Sequence, residues 1–233
     1  MMEIYALQVP NEVDTKLFLR LLSCVSMEKR ERIKRFLRIE DSLRTLFADL
    51  LIRSIISDKY GIPNKEITFI YNSYGKPFLE WDRDFAFNVS HSGKWVVAIV
   101  GNRQLVGIDI EEILPMEMEL AKNFFSLDDY ICLMKKREKE RLEYFYEQWT
   151  LKESYVKAIG RGLSVAFDSF VISREGEEGR FTIHQNHCLQ SFFFRQYEID
   201  PAYKLSACST TDAFPDTINI CEDSTLYRKF NNV

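Results

Sequence analysis

Val106-Gly107-Ile108-Asp109-Ile110-Glu111 reads as one short strand, and Trp149-Thr150-Leu151-Lys152-Glu153-Ser154-Tyr155-Val156-Lys157 as part of a helix. Side chains alternate between the two faces of a strand. Ile108 and Ile110 therefore share one face, and Asp109 and Glu111 the other. Two carboxylates held side by side on rigid backbone repel unless a cation or a donor sits between them. Residues four apart on a helix are neighbours. Trp149, Glu153 and Lys157 thus line one face, close to the apolar one of Leu142, Phe145, Trp149 and Val156. A Glu and a Lys at that edge are costly to bury without partners. With the helix laid on the strand, Asp109, Glu111 and Glu153 converge beside Lys157. Oxygen-only ligands next to a free ammonium suit Mg²⁺ held together with a phosphate-bearing substrate. Taken singly, each element also fits an ordinary half-wet strand or a solvated helix face.

Outward from these two elements the chain reads as two similar halves. The first has a strand at 3–9 and a basic helix from the N-cap Ser26 to about Leu37. Asp41 is the expected cap of the next helix, where Leu43, Leu46, Phe47, Leu50 and Ile55 keep a helical period. Tyr60-Gly61-Ile62-Pro63 stops it, and strands follow at about 66–71, 85–90 and 95–100. The second half opens with strand 105–111 and continues with helices at about 117–124, 127–137 and 139–159, the last stopped by Gly160-Arg161-Gly162. Strands at about 168–173, 179–185, 191–199 and 203–209 complete it. A hairpin-like pair recurs, Phe87–Val89 with Trp95–Val97 and Tyr197–Ile199 with Lys204–Ser206.

Composition narrows the function classes. Of 233 residues 46% are hydrophobic, enough for a sizeable core. A net charge of −4 argues against a general nucleic-acid binder. No apolar run approaches the ~20 residues of a bilayer span, and Met1-Met2-Glu3-Ile4-Tyr5 lacks the pattern of a signal peptide. Five scattered cysteines (Cys24, Cys132, Cys188, Cys208, Cys221) fit reduced thiols in the cytoplasm better than a disulfide framework. His184-Gln185-Asn186-His187-Cys188 has donors at metal-like spacing but no second ligand cluster, and reads as structural or surface.

A third block, Phe87-Asn88-Val89-Ser90-His91-Ser92, joins the first two. In this order and spacing they resemble the 4′-phosphopantetheinyl transferases of the surfactin-synthetase-activating type. That family carries F-N-[IV]-S-H-[ST], G-[IV]-D-[IV]-E and W-[ST]-x-K-E-[AS]-[YF]-x-K-x-x-G-x-G. Here these are Phe87 to Ser92, Gly107 to Glu111 and Trp149 to Gly162. Ser26 to Arg30, Glu40 to Thr45 and Tyr74-Gly75-Lys76-Pro77 match as well, so the likeness runs from about Ile4 to Phe214.

The resemblance implies an α+β fold of two similar subdomains related by a pseudo-twofold axis, each with helices packed on a small, mostly antiparallel sheet. The expected division is 1–104 and 105–233. It implies a Mg²⁺-dependent enzyme that moves the 4′-phosphopantetheine arm of coenzyme A to a serine of an apo peptidyl or acyl carrier protein, as in nonribosomal peptide and antibiotic biosynthesis. Adenosine 3′,5′-bisphosphate leaves. The implied metal ligands are Asp109, Glu111 and Glu153, with Lys157 on the pyrophosphate. Glu153, Asp129 and a metal-bound water compete as proton acceptor. Asp129 stands where the best-known members carry Glu. The nucleotide end falls to Lys29, Arg32, Arg44, Thr45, Ser90 and His91, and the adenine to the backbone of Gly75, Lys76 and Pro77. Lys152 receives a lesser, phosphate-steering role. A monomer in the cytoplasm is implied, with no nucleic-acid or membrane partner. A non-catalytic coenzyme A or carrier-binding module, or another Mg²⁺-dependent phosphodiester-cleaving enzyme, remains the alternative.

Overall fold

A computed structural model describes residues 1–175, 180–184 and 191–230. The first half runs β1 (Glu3–Gln8), α1 (Thr15–Ser23), α2 (Met27–Lys34), α3 (Ile39–Tyr60), β2 (Phe69–Tyr71), β3 (Pro77–Leu79), β4 (Phe85–Ser92) and β5 (Trp95–Asn102). The second runs β6 (Val106–Glu112), α4 (Leu127–Lys135), α5 (Glu138–Ile159), β7 (Val171–Glu175), β8 (Arg180–His184), β9 (Phe193–Tyr197) and β10 (Tyr203–Ser209). The chain closes with β11 (Asn219–Cys221) and α6 (Asp223–Phe230).

Alternation along the strands explains the layering. The first sheet has the order β11-β1-β5-β4 and the second β6-β10-β9. In β5, Val96, Ala98 and Val100 face the core under α3, with Leu46, Phe47 and Leu50. Val97 and Ile99 face the other way, onto Ile108, Ile110, Leu205 and Ala207 of the second sheet. The far side of that sheet lies under α5. The result is helix, sheet, sheet, helix: two α+β subdomains of one plan, as expected. Both long helices have 22 residues, and both end on a left-handed glycine, Gly61 at φ 65° and Gly160 at φ 67°. The absence of a Cβ makes that conformation accessible.

Gly107 is fixed by a close approach. A Cβ there would lie 1.9 Å from the Ser154 carbonyl oxygen and 2.5 Å from Ala158 N, both backbone atoms of α5. Gly107→Ala should therefore push α5 off β6 and destabilise the protein by about 3 kcal/mol, the upper range for overpacking a tight core. Thermal unfolding followed by circular dichroism checks this. An unchanged midpoint would show that the helix can slide outward freely.

Several expectations are corrected. α3 starts at Ile39, with Arg38 at the cap position, and Asp41 lies in its first turn, paired with Arg44. A first-turn carboxylate still favours the positive helix end. Residues 118–123 form a 3₁₀ helix instead of an α-helix, and α2 ends at Lys34. The strand expected from 66 begins only at Phe69, after a 3₁₀ turn at Asn64–Glu66. α1 went unread although Asp14 caps it by accepting from Lys16 N and Leu17 N. The division at 104 is not clean in space: β11 pairs in parallel with β1, and Leu226 and Phe230 of α6 join the core of the first half. The motif at 184–188 lies almost wholly outside the described residues.

Candidate active site

Strands β4 and β6 are the facing edges of the two sheets, and side chains join them. Asn88 Oδ1 accepts from Ile108 N at 3.0 Å, Ser90 Oγ from Ile110 N at 3.5 Å and Ser92 Oγ from Glu112 N at 3.0 Å. Three small polar residues at a period of two thus satisfy the open backbone edge of β6. The same hydroxyls face the acids: Ser90 donates to Asp109 Oδ1 at 2.9 Å and Ser92 to Glu111 Oε2 at 2.8 Å. The alternation Asn88-x-Ser90-x-Ser92 is visible in the sequence, which assigns only Ser90 of the three to the nucleotide end. Ser90 belongs to the acidic cluster instead.

Lys157 completes that cluster from α5. Its ammonium donates to Asp109 Oδ1 at 2.6 Å and to Ser90 Oγ at 2.8 Å. Burial pushes the Asp109 carboxyl up, against the pull of Lys157. Glu111 is pushed up to about 7, by burial first and then by Asp109. Glu153 is raised by burial and again by Asp109. The three acids therefore feel one another's charge.

The fit to a cation can be judged on the donors. Among the described residues, no three His, Cys, Asp or Glu side chains are gathered in a metal-holding arrangement. Asp109 Oδ2, however, is buried with no hydrogen-bond partner, which is costly for a carboxylate oxygen. Lys157 supplies a cation touching Asp109. Hard oxygen donors, mutual repulsion and an orphaned buried oxygen fit Mg²⁺.

Two cavities flank the cluster. One, of about 210 Å³, is lined by Lys29, Arg32, Thr45, Gly75, Pro77 and His91 among others. The next, of about 280 Å³, is lined by Gly75, Lys76, Pro77, Glu153 and Lys157. They share Gly75, Pro77 and Asn88, so together they run from the basic residues of the first half to Glu153 and Lys157 of the second. His91 is pushed down to about 4 by its crowded surroundings, then by Lys157 and Arg44. It is therefore neutral near pH 7. Arg44 pairs with Asp41 and donates to the Gly93 carbonyl at 3.1 Å. Lys29 lies 3.5 Å from the buried Asp49, an acid in the cavity wall that went unread.

Two expected residues are placed differently. Lys152 is fully buried. Its ammonium donates to the Phe167 and Phe170 carbonyls at 2.8 and 2.6 Å and pairs with Asp129 Oδ2 at 2.8 Å. An ammonium has three donors, so none remains to steer a phosphate. Asp129 is spent in the same way, since the oxygen on Lys152 also accepts from Ser126 Oγ at 2.8 Å. Asp129 also lines neither of the two cavities. Lys76 lines the second cavity beside Gly75 and Pro77, and its ammonium donates to backbone carbonyls of β6 and α5. Burial holds its ammonium down to about 8.

Comparison with known proteins follows the same lines. Residues 12–103 match the family model "4′-phosphopantetheinyl transferase, N-terminal", and residues 105–208 match "4′-phosphopantetheinyl transferase superfamily". The chain is 38% identical over 219 residues to 4′-phosphopantetheinyl transferase Sfp of Bacillus subtilis (strain 168), covering 94% of this chain and 97% of that protein. To 4′-phosphopantetheinyl transferase gsp of Aneurinibacillus migulanus it is 38% identical over 209 residues, covering 90% and 86%. Among solved structures, a holo-(acyl-carrier-protein) synthase from Bacillus anthracis in complex with CoA covers 45% of this chain and 92% of its own, at 17% identity and a TM-score of 0.39. The matches take in both halves and nearly the full length, and the chain belongs to the 4′-phosphopantetheinyl transferases.

Proposed function

We propose that the protein seats the nucleotide end of coenzyme A in the basic cavity and transfers the 4′-phosphopantetheine arm at the Asp109, Glu111, Glu153 and Lys157 cluster. The observation that carries this reading is the Lys157 ammonium. It sits on Asp109 and lines the second cavity beside Glu153, so a pyrophosphate reaching into that cavity from the first would meet it. Asp109, Glu111 and Glu153 would hold Mg²⁺, which when bound would neutralise pyrophosphate charge.

The serine oxygen of the carrier attacks the pantetheine-side phosphorus. The bond from that phosphorus to the bridging oxygen of adenosine 3′,5′-bisphosphate breaks. Such a step needs alignment and charge neutralisation more than covalent help. Lys157 offsets charge on the leaving phosphate. With Asp129 engaged, Glu153 is the remaining side chain proposed earlier to take the serine proton. It lines the second cavity beside Lys157, where the serine would have to approach. Lys29, Arg32, Thr45 and the neutral His91 hold the 3′-phosphate, and the nearby charge of Arg44 helps keep His91 neutral. Both halves lie in one chain, so one copy contains a whole site and acts as a monomer. No helix among the described residues is long and apolar enough to cross a membrane, consistent with a cytoplasmic enzyme acting on peptidyl or acyl carriers.

The direct test incubates purified protein with coenzyme A, Mg²⁺ and a panel of apo carriers, read by intact mass. A carrier that never gains the mass of the arm overturns the reading. A chelated control separates catalysis from mere binding. The 3′-phosphate pocket has its own expected outcome. Wild type should prefer coenzyme A over dephospho-coenzyme A, and Lys29→Ala should lose on the order of 1.5–3 kcal/mol of that preference, the range for a hydrogen bond to a charged group. Competition binding measures it, and undiminished discrimination in the variant would remove Lys29 from the pocket.

A further inference from the structure

The loop between β2 and β3, residues 72–76, lines both cavities through Gly75. The same loop grips the end of the helix that bears Glu153 and Lys157. Lys76 Nζ donates to the carbonyls of Lys157 at 2.8 Å, Ala158 at 2.7 Å and Val106 at 3.1 Å. Asn72 Nδ2 donates to the Gly160 carbonyl at 2.8 Å. The last carbonyls of a helix lack partners within it and carry its negative pole. An ammonium and an amide from a distant loop satisfy them here. The contact is tight: a Cβ on Gly160 would lie 2.5 Å from Lys76 Cδ and 3.3 Å from Asn72 Nδ2.

The loop is stiffened by the same asparagine. Asn72 Oδ1 accepts from Tyr74 N and Lys76 N, each at 2.9 Å. One face of Asn72 thus sets the loop's shape while the other ties it to α5. Lys157 is held at both ends. Its carbonyl takes a bond from Lys76, and its ammonium rests on Asp109 and Ser90. All three donors of Lys76 are used on backbone, and none points into a cavity.

We propose that Asn72 and Lys76 are positioning residues for phosphoryl transfer: they fix the carbonyl end of α5, and with it Lys157, against the wall that receives the nucleotide of coenzyme A. This rests on the functional reading above. It goes beyond it in assigning these two side chains to alignment, with the loop's backbone left to the ligand. A misplacement of about 1 Å far from the reacting atoms can cost ~100-fold in rate, so a loosened helix end is expected to show in turnover.

The experiment compares wild type with Lys76→Met, Lys76→Arg and Asn72→Asp. Asn72→Asp keeps the oxygen that shapes the loop but sets a second acceptor against the Gly160 carbonyl. Single-turnover transfer to an apo carrier at saturating coenzyme A is measured beside the affinity for adenosine 3′,5′-bisphosphate. Lys76→Met and Asn72→Asp should lose on the order of tenfold or more in rate, with affinity within about threefold of wild type. Lys76→Arg, which keeps the donors, should recover most of the rate. Wild-type rates at saturation, even with a lowered melting temperature, would reduce the clamp to a stability role and overturn the proposal. A fall in nucleotide affinity that accounts for the whole loss of rate would overturn it too. If Lys76→Met does not fold, Asn72→Asp decides alone. A wild type that labels no carrier condemns the functional reading instead, because the inference concerns differences from an active wild type.

Discussion

Asp109→Ala should lower turnover by at least ~100-fold, the usual cost of removing a main charge-stabilising group from a reacting centre. Asp109 is the node of the site. One oxygen receives both Ser90 and Lys157, and the other is buried without a partner. Truncation would free Lys157, leave the Ser90 hydroxyl without its acceptor, and delete the donor best placed for a cation. Glu111→Ala and Glu153→Ala should fall as far. Single-turnover transfer at ordinary Mg²⁺, read by carrier mass, is the measurement. Thermal unfolding should run beside it, because Asp109 is buried and its loss relieves repulsion on Glu111 as well. A stable Asp109→Ala protein with near-normal rate would place the chemistry elsewhere.

Lys157→Ala should also turn over slowly, on the order of 100-fold below wild type, yet bind coenzyme A almost as well. Its ammonium already has acceptors in the free protein, Asp109 Oδ1 and Ser90 Oγ. Binding a pyrophosphate exchanges one set of contacts for another, so little affinity is gained. Charge developing on the leaving oxygen strengthens the new contact only as the bond breaks. Lys157→Arg should restore part of the rate, because a planar fork cannot reproduce a compact ammonium lodged between a serine and a carboxylate. Calorimetric affinity and single-turnover rates decide. Weakened binding with an unchanged rate at saturation would make Lys157 an anchor for the ligand.

What the sequence disclosed was local. Alternation in β6 put Ile108 and Ile110 in the core between the sheets and Asp109 and Glu111 opposite. A four-residue period brought Lys157 to the same place, and two glycines marked the ends of α3 and α5. The basic residues Lys29, Arg32 and His91 do share a cavity with Thr45, Gly75 and Pro77. What escaped depended on distant neighbours. The helical period turns Lys152 away from Glu153, but nothing near it announces that the carbonyls of Phe167 and Phe170 and the carboxylate of Asp129 await it. Lys76 reads as part of an ordinary turn until the end of α5 is beside it. Asn88, Ser90 and Ser92 show their period, but their role depends on an open β6 edge that only the assembled sheets create.

The parallel pairing of β11 with β1 has a kinetic side. Tyr5 and Asn219 are partners in that ladder, although nearly the whole chain separates them. Pairings between such remote residues carry a large loop-closure cost and slow folding. During synthesis β1 can form its antiparallel ladder with β5 early, but its other edge stays open until β11 has left the ribosome. Leu226 and Phe230 fill the first core only at that same late moment. The nascent first half therefore passes through a stage with an uncovered strand edge and an incomplete core beneath α3, and residues made much later are the ones that close it.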